Sequence, residues 1–362
     1  MSGKFKVVGI NFDHMHMGDL LRQAKGNPNV EIVGVSDAQP ERAIGVLKQI
    51  GVSESLFFPD YRKLMEQTKP DLAILCPATA EHADWTEKVA PFGSHVLVEK
   101  PFAASLADAD RMIAALKKTG RQLIINWPLR WYPSHVTAKR LVDEGVIGEV
   151  LQVHYYDGNR GPLRHLADKV EIPENIANEK KASSWWYKKS AGGGSLLDYL
   201  GYGTTLGTWY MNGRAPVEVT AMVDSPAGLE VDEHSITICR YDIPNSGLSK
   251  FETRWGAFSD PWVAQPQPKC GFVIVGRSGT IGSYDYEKSI RVQTSRDDSG
   301  KDVPVDTLEP PFDAAINYVV HCLTTGKPIE GPLSPAICRT GQQVVDSAAL
   351  SAKEKRTVNL VP

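Results

Sequence analysis

The stretch Val7–Asp19, "VVGINFDHMHMGD", decides the fold. Its apolar, β-branched beginning reads as a buried strand. The overlapping segment "MGDLLRQAKGN" has helical spacing and stops at Gly26-Asn27, a plausible C-cap. Strand, short turn and helix in that order open a parallel βαβ unit. The turn is unusual because it carries Asn11, Phe12, Asp13, His14, Met15 and His16 rather than a run of glycines.

The pattern repeats down the first third of the chain. "EIVGVSD", "DLAILCP", "HVLVEKP" and "RQLIIN" read as further strands. "AQPERAIGVLKQIG", "AEHADWTEKVAPFG" and "SLADADRMIAALKKTG" read as the helices between them. Six such units up to Asn126 predict an α/β fold, a Rossmann-like doubly wound parallel sheet over residues 1–126. From 127 to 362 the pattern changes. "PSHVTAKRLVDEGVIGEV" gives one helix closed by Gly145, and strands then follow without helices between them: "LQVHYYD", "VEVTAMVD", "HSITICRYD", "KFETRWG", "FVIVGRSGTIGSYD" and "SIRVQTS". A C-terminal α+β domain on a large mixed or antiparallel open sheet is expected, with late helices in "FDAAINYVVHCLTTG" and "AICRTGQQVVDSAALSA". The polar stretch from Gly158 to Gly194 is too long for a simple connection and is a candidate functional loop.

Composition narrows the class. With 362 residues, 42% hydrophobic and 23% charged, the chain reads as two globular domains. A net charge of -3 gives no reason to expect nucleic acid or an anionic membrane as partner. No apolar run suits a signal core or a membrane span. The five cysteines, Cys76, Cys239, Cys270, Cys322 and Cys338, are scattered and odd in number, which suits the reducing cytoplasm and opposes a disulfide framework or a structural zinc site.

The opening turn lies where a parallel sheet binds dinucleotide pyrophosphates. There glycines let the backbone approach the phosphates, and a helix N-terminus attracts the anion. Asn11, Asp13 and His16 fall where the three glycines of G-x-G-x-x-G would lie, with Gly18 as a late substitute. The Asp13 carboxylate would repel a phosphate unless His14 or His16 offsets it. Asp37 ends the second strand, 21 positions after His16. It either binds the adenosine ribose, which favours NAD over NADP, or caps the next helix, and the ribose role is the expectation. The rival reading is a metal on H-x-H, but the other histidines form no second pair and no metal site is expected.

"GSHVLVEKPFAAS" puts Glu99, Lys100 and Pro101 at a strand's carboxyl end, in the same crevice. A lysine there can polarise a substrate hydroxyl while hydride leaves the adjacent carbon, or it can be a solvated strand end. This segment resembles the E-K-P motif of the Gfo/Idh/MocA family, the glucose–fructose oxidoreductases, inositol dehydrogenases and their relatives. Three further stretches fit in order: "CPATAEH", similar to T-P-x-x-x-H after the fourth strand; "INWPLRWYPSHVTAKRLVDEGVIGEV"; and "AGGGSLLDYLGYGTTLGTWY", similar to G-G-G-x-x-x-D-x-x-x-H/Y. The opening loop departs from the family, which usually keeps its glycines.

The resemblance implies a catalytic Lys100, with Asp198 and Tyr202 on one helical face addressing the substrate. Tyr202 would exchange a proton with the reacting oxygen, its pKa held down by Lys100. Asn11, Phe12, Asp13, His14, Met15, Asp37, Glu99, Lys100 and Pro101 would hold NAD, with Cys76, Pro77 and His82 on its ribose and nicotinamide side. Arg130, Trp131, Trp185 and Trp186 are candidate substrate contacts, since exposed indoles stack on sugar rings, though the tryptophan pair could equally be a packed lid. Arg160, Arg164, Lys188 and Lys189 leave an anionic sugar open. The implied function is NAD-dependent hydride transfer with a sugar, sugar derivative or cyclitol, in a cytoplasmic homodimer or homotetramer joined through the C-terminal sheet. Two alternatives stand beside it: a glycosidase-like enzyme working by transient oxidation and elimination, and a sugar-binding relative without cofactor.

Overall fold

A computed structural model describes residues 3–164, 173–244, 247–256 and 270–362. The long loop is therefore described only outside 165–172. The chain divides into two units, one running to Trp127 and including Glu309–Pro335, the other spanning Pro128–Leu308 and Ala336–Pro362.

The first unit begins with β1 (Phe5–Phe12), α1 (His16–Gly26), β2 (Val30–Ser36), α2 (Pro40–Gln49), α3 (Tyr61–Thr68) and β3 (Leu72–Cys76). It continues with α4 (His82–Val89), β4 (His95–Glu99), α5 (Leu106–Thr119) and β5 (Leu123–Asn126). All pairings are parallel, in the order β2-β1-β3-β4-β5. The central strand β3 and the edge strand β5 are both buried at every position, as a sheet covered on both faces requires. Met17, Leu20, Leu21 and Ala24 form the buried stripe of α1, each large side chain contributing roughly 2 kcal/mol. Ser105 caps α5 by accepting from Asp108 N, and Gly120 closes it in the left-handed region.

Two expectations change here. The sheet has five strands rather than six units, because Glu54–Leu56 forms a short turn and the next segment folds as α3. "CPATAEH" thus follows the third strand, not the fourth. The sequence also assigns everything after 126 to the second domain, whereas the helix Ala315–Thr325 belongs to the first unit. It is tied to α1 by Asn27 Nδ2 donating to Asn317 Oδ1 at 2.8 Å and Ile316 N donating to Gln23 Oε1 at 3.2 Å.

The second unit contains α6 (Pro133–Asp143), β6 (Val150–Gly158), α7 (Glu174–Lys181), α8 (Ser195–Tyr210), β7 (Glu218–Asp224), β8 (His234–Arg240) and β9 (Leu248–Arg254). Then come β10 (Cys270–Gly276), β11 (Gly279–Tyr284), β12 (Ser289–Thr294) and β13 (Asp297–Pro304). The first unit's helix Ala315–Thr325 is α9, and the chain ends in α10 (Pro335–Glu354) and β14 (Val358–Asn359). Among the described residues these strands form one nine-stranded mixed sheet, β13-β12-β11-β10-β6-β9-β8-β7-β14. Only β6 and β9 pair in parallel. Helix α8 is buried almost all round and lies close on the sheet: a Cβ on Gly203 would come within 2.7 Å of Tyr155 and 2.8 Å of Phe251.

The chain enters α8 through Gly193, where an added Cβ would sit 2.1 Å from the Trp186 carbonyl oxygen. Gly193→Ala must push the Trp185–Tyr187 turn away. It is expected to destabilise the protein by about 1–3 kcal/mol, read as a lowered midpoint in thermal unfolding; an unchanged midpoint would contradict this packing.

Candidate functional site

The carboxyl ends of β1 to β5 carry the residues expected to meet a cofactor. Asn11 stands in the left-handed region at φ 64° and so supplies the turn normally assigned to a glycine, a conformation Asn tolerates better than most residues. Its buried side-chain oxygen has no hydrogen-bond partner among the described residues.

Asp13 does not depend on a histidine for charge balance. Arg42, inside α2, pairs with Asp13 at 2.5 Å and with Asp37 at 2.9 Å. Burial opposes the Arg42 charge, yet its bonds to the two carboxylates raise the pKa overall. Asp37 is buried, and its oxygens accept from Phe12 N at 2.6 Å, Gln39 N at 2.6 Å, and Arg42 Nε and Nη2 at 3.1 and 2.9 Å. Three of these bonds fall on Oδ1 and one, from Phe12 N, on Oδ2, so Asp37 anchors the loop through Phe12, Gln39 and Arg42.

Glu99, at the end of β4, is fully buried and holds both neighbours. His16 Nδ1 lies 2.8 Å from Oε1, and Asn126 Nδ2 donates to Oε2 at 2.7 Å. Burial raises the Glu99 pKa, but the charges of His16 and Lys100 and these bonds bring it below the usual carboxylate value. His14 is driven well below the ordinary imidazole value by burial, then by His16, Lys100 and His82, and stays neutral. Since His14 Nδ1 accepts from His16 N at 3.2 Å, its ring proton sits on Nε2.

Lys100 is buried beside this group, and Pro101 follows it through a cis peptide. Cys76 contributes its carbonyl oxygen, which accepts from Asp13 N and His14 N at 3.1 Å each, while burial pushes its thiol pKa far up. His82 contacts the Pro77 and Phe102 carbonyls at 3.3 and 3.2 Å and is kept below its ordinary value mainly by burial. It clamps two loops instead of lining a ribose. The expected cofactor residues are therefore gathered at one sheet edge, but Asp37, Cys76 and His82 serve structure there.

In the second unit, Asp198 and Tyr202 are both buried on α8. They belong to a phenol cluster that the sequence reading missed. The Tyr155 hydroxyl donates to Asp157 at 2.9 Å, Asn159 Nδ2 donates to the Tyr199 hydroxyl at 2.5 Å, and the Tyr199 and Tyr202 rings lie 5.3 Å apart. Burial, then Tyr199, Tyr132, Asp198 and Asp157, push the Tyr202 pKa well above the phenol range. That reverses the expected depression: Tyr202 is a neutral phenol. Trp186 is buried against Trp185, centroids 3.8 Å apart, and edge-on to Trp255, so it packs as core and is no exposed sugar platform. Trp185, Arg130 and Trp131 are half-buried. The basic loop is partly neutralised, Arg164 by Glu174 and Lys188 by Glu230, which weakens the case for an anionic substrate.

Comparison with known proteins settles the family. Residues 4–127 match the description "Oxidoreductase family, NAD-binding Rossmann fold", and residues 135–282 match the GFO/IDH/MocA C-terminal domain. The chain belongs to the GFO/IDH/MocA oxidoreductase family. It is 28% identical over 183 residues to inositol 2-dehydrogenase of Salmonella typhimurium, covering 49% of this chain and 53% of that protein. It is 30% identical over 131 residues to the scyllo-inositol 2-dehydrogenase (NAD(+)) of Bacillus subtilis, covering 36% and 37%. The chain thus aligns with about half or less of the length of these relatives. The fold is shared with the aldose-aldose oxidoreductase of Caulobacter crescentus, solved with glycerol, at TM-score 0.77 and 21% identity over 99% of this chain and all of that one. The residues of the first unit fit NAD: Asn11 takes the glycine-like turn in the loop after β1 and leaves a buried oxygen without a partner among the described residues, and Asp13 is neutralised by Arg42.

His14, His82 and His135 are all buried, with pKa values below the ordinary 6.5, His135 at about 4. The unfolded chain therefore takes up these protons first. Their contribution is intact above about pH 6.5 and is lost as pH falls toward 4, at up to about 1.4 kcal/mol per pH unit for each histidine. Calorimetric melting temperatures should fall across this window. A flat profile would contradict neutral burial of the three rings.

Proposed function

We propose that the chain is an NAD-dependent oxidoreductase that moves hydride between nicotinamide and a carbon carrying the hydroxyl or carbonyl of a sugar, sugar derivative or cyclitol. The observation that carries this reading is the buried Lys100 beside Glu99 and the Asn11–Met15 loop at the carboxyl edge of a family nucleotide-binding sheet. The names of the inositol dehydrogenase relatives support the substrate class. Bound NAD supplies the carbon that gives or takes the hydride.

In this reading Lys100 polarises the reacting oxygen and lowers the cost of moving its proton. Tyr202, whose phenol holds its proton, gives that proton to the carbonyl oxygen as hydride reaches the carbon, and its phenolate takes the hydroxyl proton back as hydride leaves in the reverse direction; Asp198 orients the substrate. Trp185, Arg130 and Trp131 are the proposed sugar contacts outside that core. A second reading, a sugar-binding relative without cofactor, gains from one observation: Asp37 is buried and already bonded to Phe12, Gln39 and Arg42 within the protein. Lys100→Met and Tyr202→Phe are each expected to lower kcat by about 10²- to 10⁴-fold in a screen of sugars and cyclitols with NAD, followed by NADH absorbance. Turnover unaffected by both changes would contradict the assignment.

We further propose a homodimer or homotetramer formed through the second unit's sheet. Met222, Ile236, Ile238 and Leu248 stand exposed on the sheet face away from α8, Met222 at 78%. These apolar side chains, set among the Arg240–Glu218 and Lys250–Glu252 ion pairs of the same face, suit a self-complementary contact. Five buried cysteines, none of them in a disulfide, favour a reducing compartment, the cytoplasm, and among the described residues no helix is long and apolar enough to cross a membrane. Sedimentation should give a dimer or larger, and Ile236→Lys with Met222→Lys should yield a folded monomer; a monomeric wild type would overturn this surface.

A further inference from the structure

We infer that the pyrophosphate of the dinucleotide is held in this protein by a side chain, the imidazole of His16 seated on buried Glu99, in place of the backbone N–H groups of a glycine loop. The inference rests on the NAD reading above and deepens it.

In a glycine-rich loop, free N–H groups at the start of the helix point at the phosphates. Here those donors are committed within the protein. Phe12 N donates to Asp37, Asp13 N and His14 N to the Cys76 carbonyl, and His16 N to His14 Nδ1. Met17 N donates to the His14 carbonyl at 3.3 Å and Gly18 N to that of Met15 at 3.1 Å. A backbone whose amides are already paired gains little from a phosphate, since each new bond breaks an old one.

His16 offers what the backbone does not. It is the first residue of α1, where the helix dipole favours an anion. Its Nδ1 is fixed by Glu99 Oε1, and the other Glu99 oxygen is fixed by Asn126, so the ring is oriented from behind. The side chain keeps 31% exposure, while that of Glu99 has none. With Nδ1 bonded to the carboxylate, Nε2 is the edge left for a ligand. To face a phosphate, Nε2 must carry a proton as Nδ1 does, so the contact is that of an imidazolium held on Glu99. The charged and titratable groups around it are Glu99 on β4, Lys100 after it, neutral His14 on the loop, and Asp13 already paired with Arg42 of α2. The loop has exchanged backbone recognition for a charge-assisted contact.

A divalent metal is the rival occupant, since donor atoms of His14, His16 and Glu99 lie within 4.8 Å of one another. The hydrogen bonds argue against it. His14 Nδ1 already accepts from His16 N, and both Glu99 oxygens accept.

The test is calorimetric titration of the intact protein with NADH in two buffers of different ionisation enthalpy, from about pH 6 to 8.5. The expected result is proton uptake on binding and weakening affinity as pH rises. His16→Asn should weaken NADH binding about ten- to a hundredfold and abolish the pH dependence. His16→Lys, a cation at the same place, should retain affinity without the pH dependence, which guards against loss of fold. Glu99→Gln, changing a positioning residue, should weaken NADH binding while keeping the protein folded, by less than His16→Asn does. Equal, proton-independent binding by wild type and His16→Asn would overturn the inference and leave the NAD reading intact. No NADH binding by wild type would overturn both. Affinity abolished by chelator and restored by zinc would overturn it in favour of the metal.

Discussion

The buried carboxylate of Glu99 is the constraint on which the first unit's functional edge depends. It ends β4, accepts from Asn126 at the end of β5, and meets His16 at the start of α1. In a sheet ordered β2-β1-β3-β4-β5, the loop after β1 must reach past β3 to do so. An ionised group with no exposure is costly unless its oxygens are satisfied, and here two side chains and the neighbouring Lys100 charge satisfy it. The same bonds fix the geometry of His16. A second anchor, Arg42 between Asp13 and Asp37, holds the other side of the loop. The fold's anchors and the proposed site therefore share residues, Glu99 and Arg42 tying the loop from both sides.

Much of the fold was legible because hydrophobic spacing and sheet burial agree. The strands β1, β3, β4 and β5 read as short apolar runs since both faces of a parallel sheet are covered. The outer strand β13, Asp297–Pro304, left no such trace: none of its residues is buried, and it pairs only with β12. Helix α9 was seen as a helix but given to the wrong unit, because attachment to α1 depends on Gln23 and Asn27, whose side chains carry no long-range signal.

The candidate site was legible in its members and not in their duties. Asn11 replaced a glycine and does adopt the left-handed turn. Asp37 stands at the right distance for a ribose and also anchors the loop, accepting from Phe12, Gln39 and Arg42. Arg42 was overlooked although it lies five residues beyond Asp37, within reach of the strand end. The link between His16 and Glu99 spans 83 positions and follows only from strand order. In the second unit, "HYYD" and "DYLGY" held the pattern of the buried phenol cluster, but burial of Tyr155 and Tyr199 together is a property of the packed sheet and α8. Burial also reversed the expected direction for Tyr202.

The central claim is that a loop without its glycines still forms a nucleotide site. The most direct measurement is energy transfer from tryptophan to nicotinamide during titration of the intact, nucleotide-free protein with NADH and, separately, NADPH. The account predicts saturable NADH binding. Folded protein that binds neither nucleotide would contradict it.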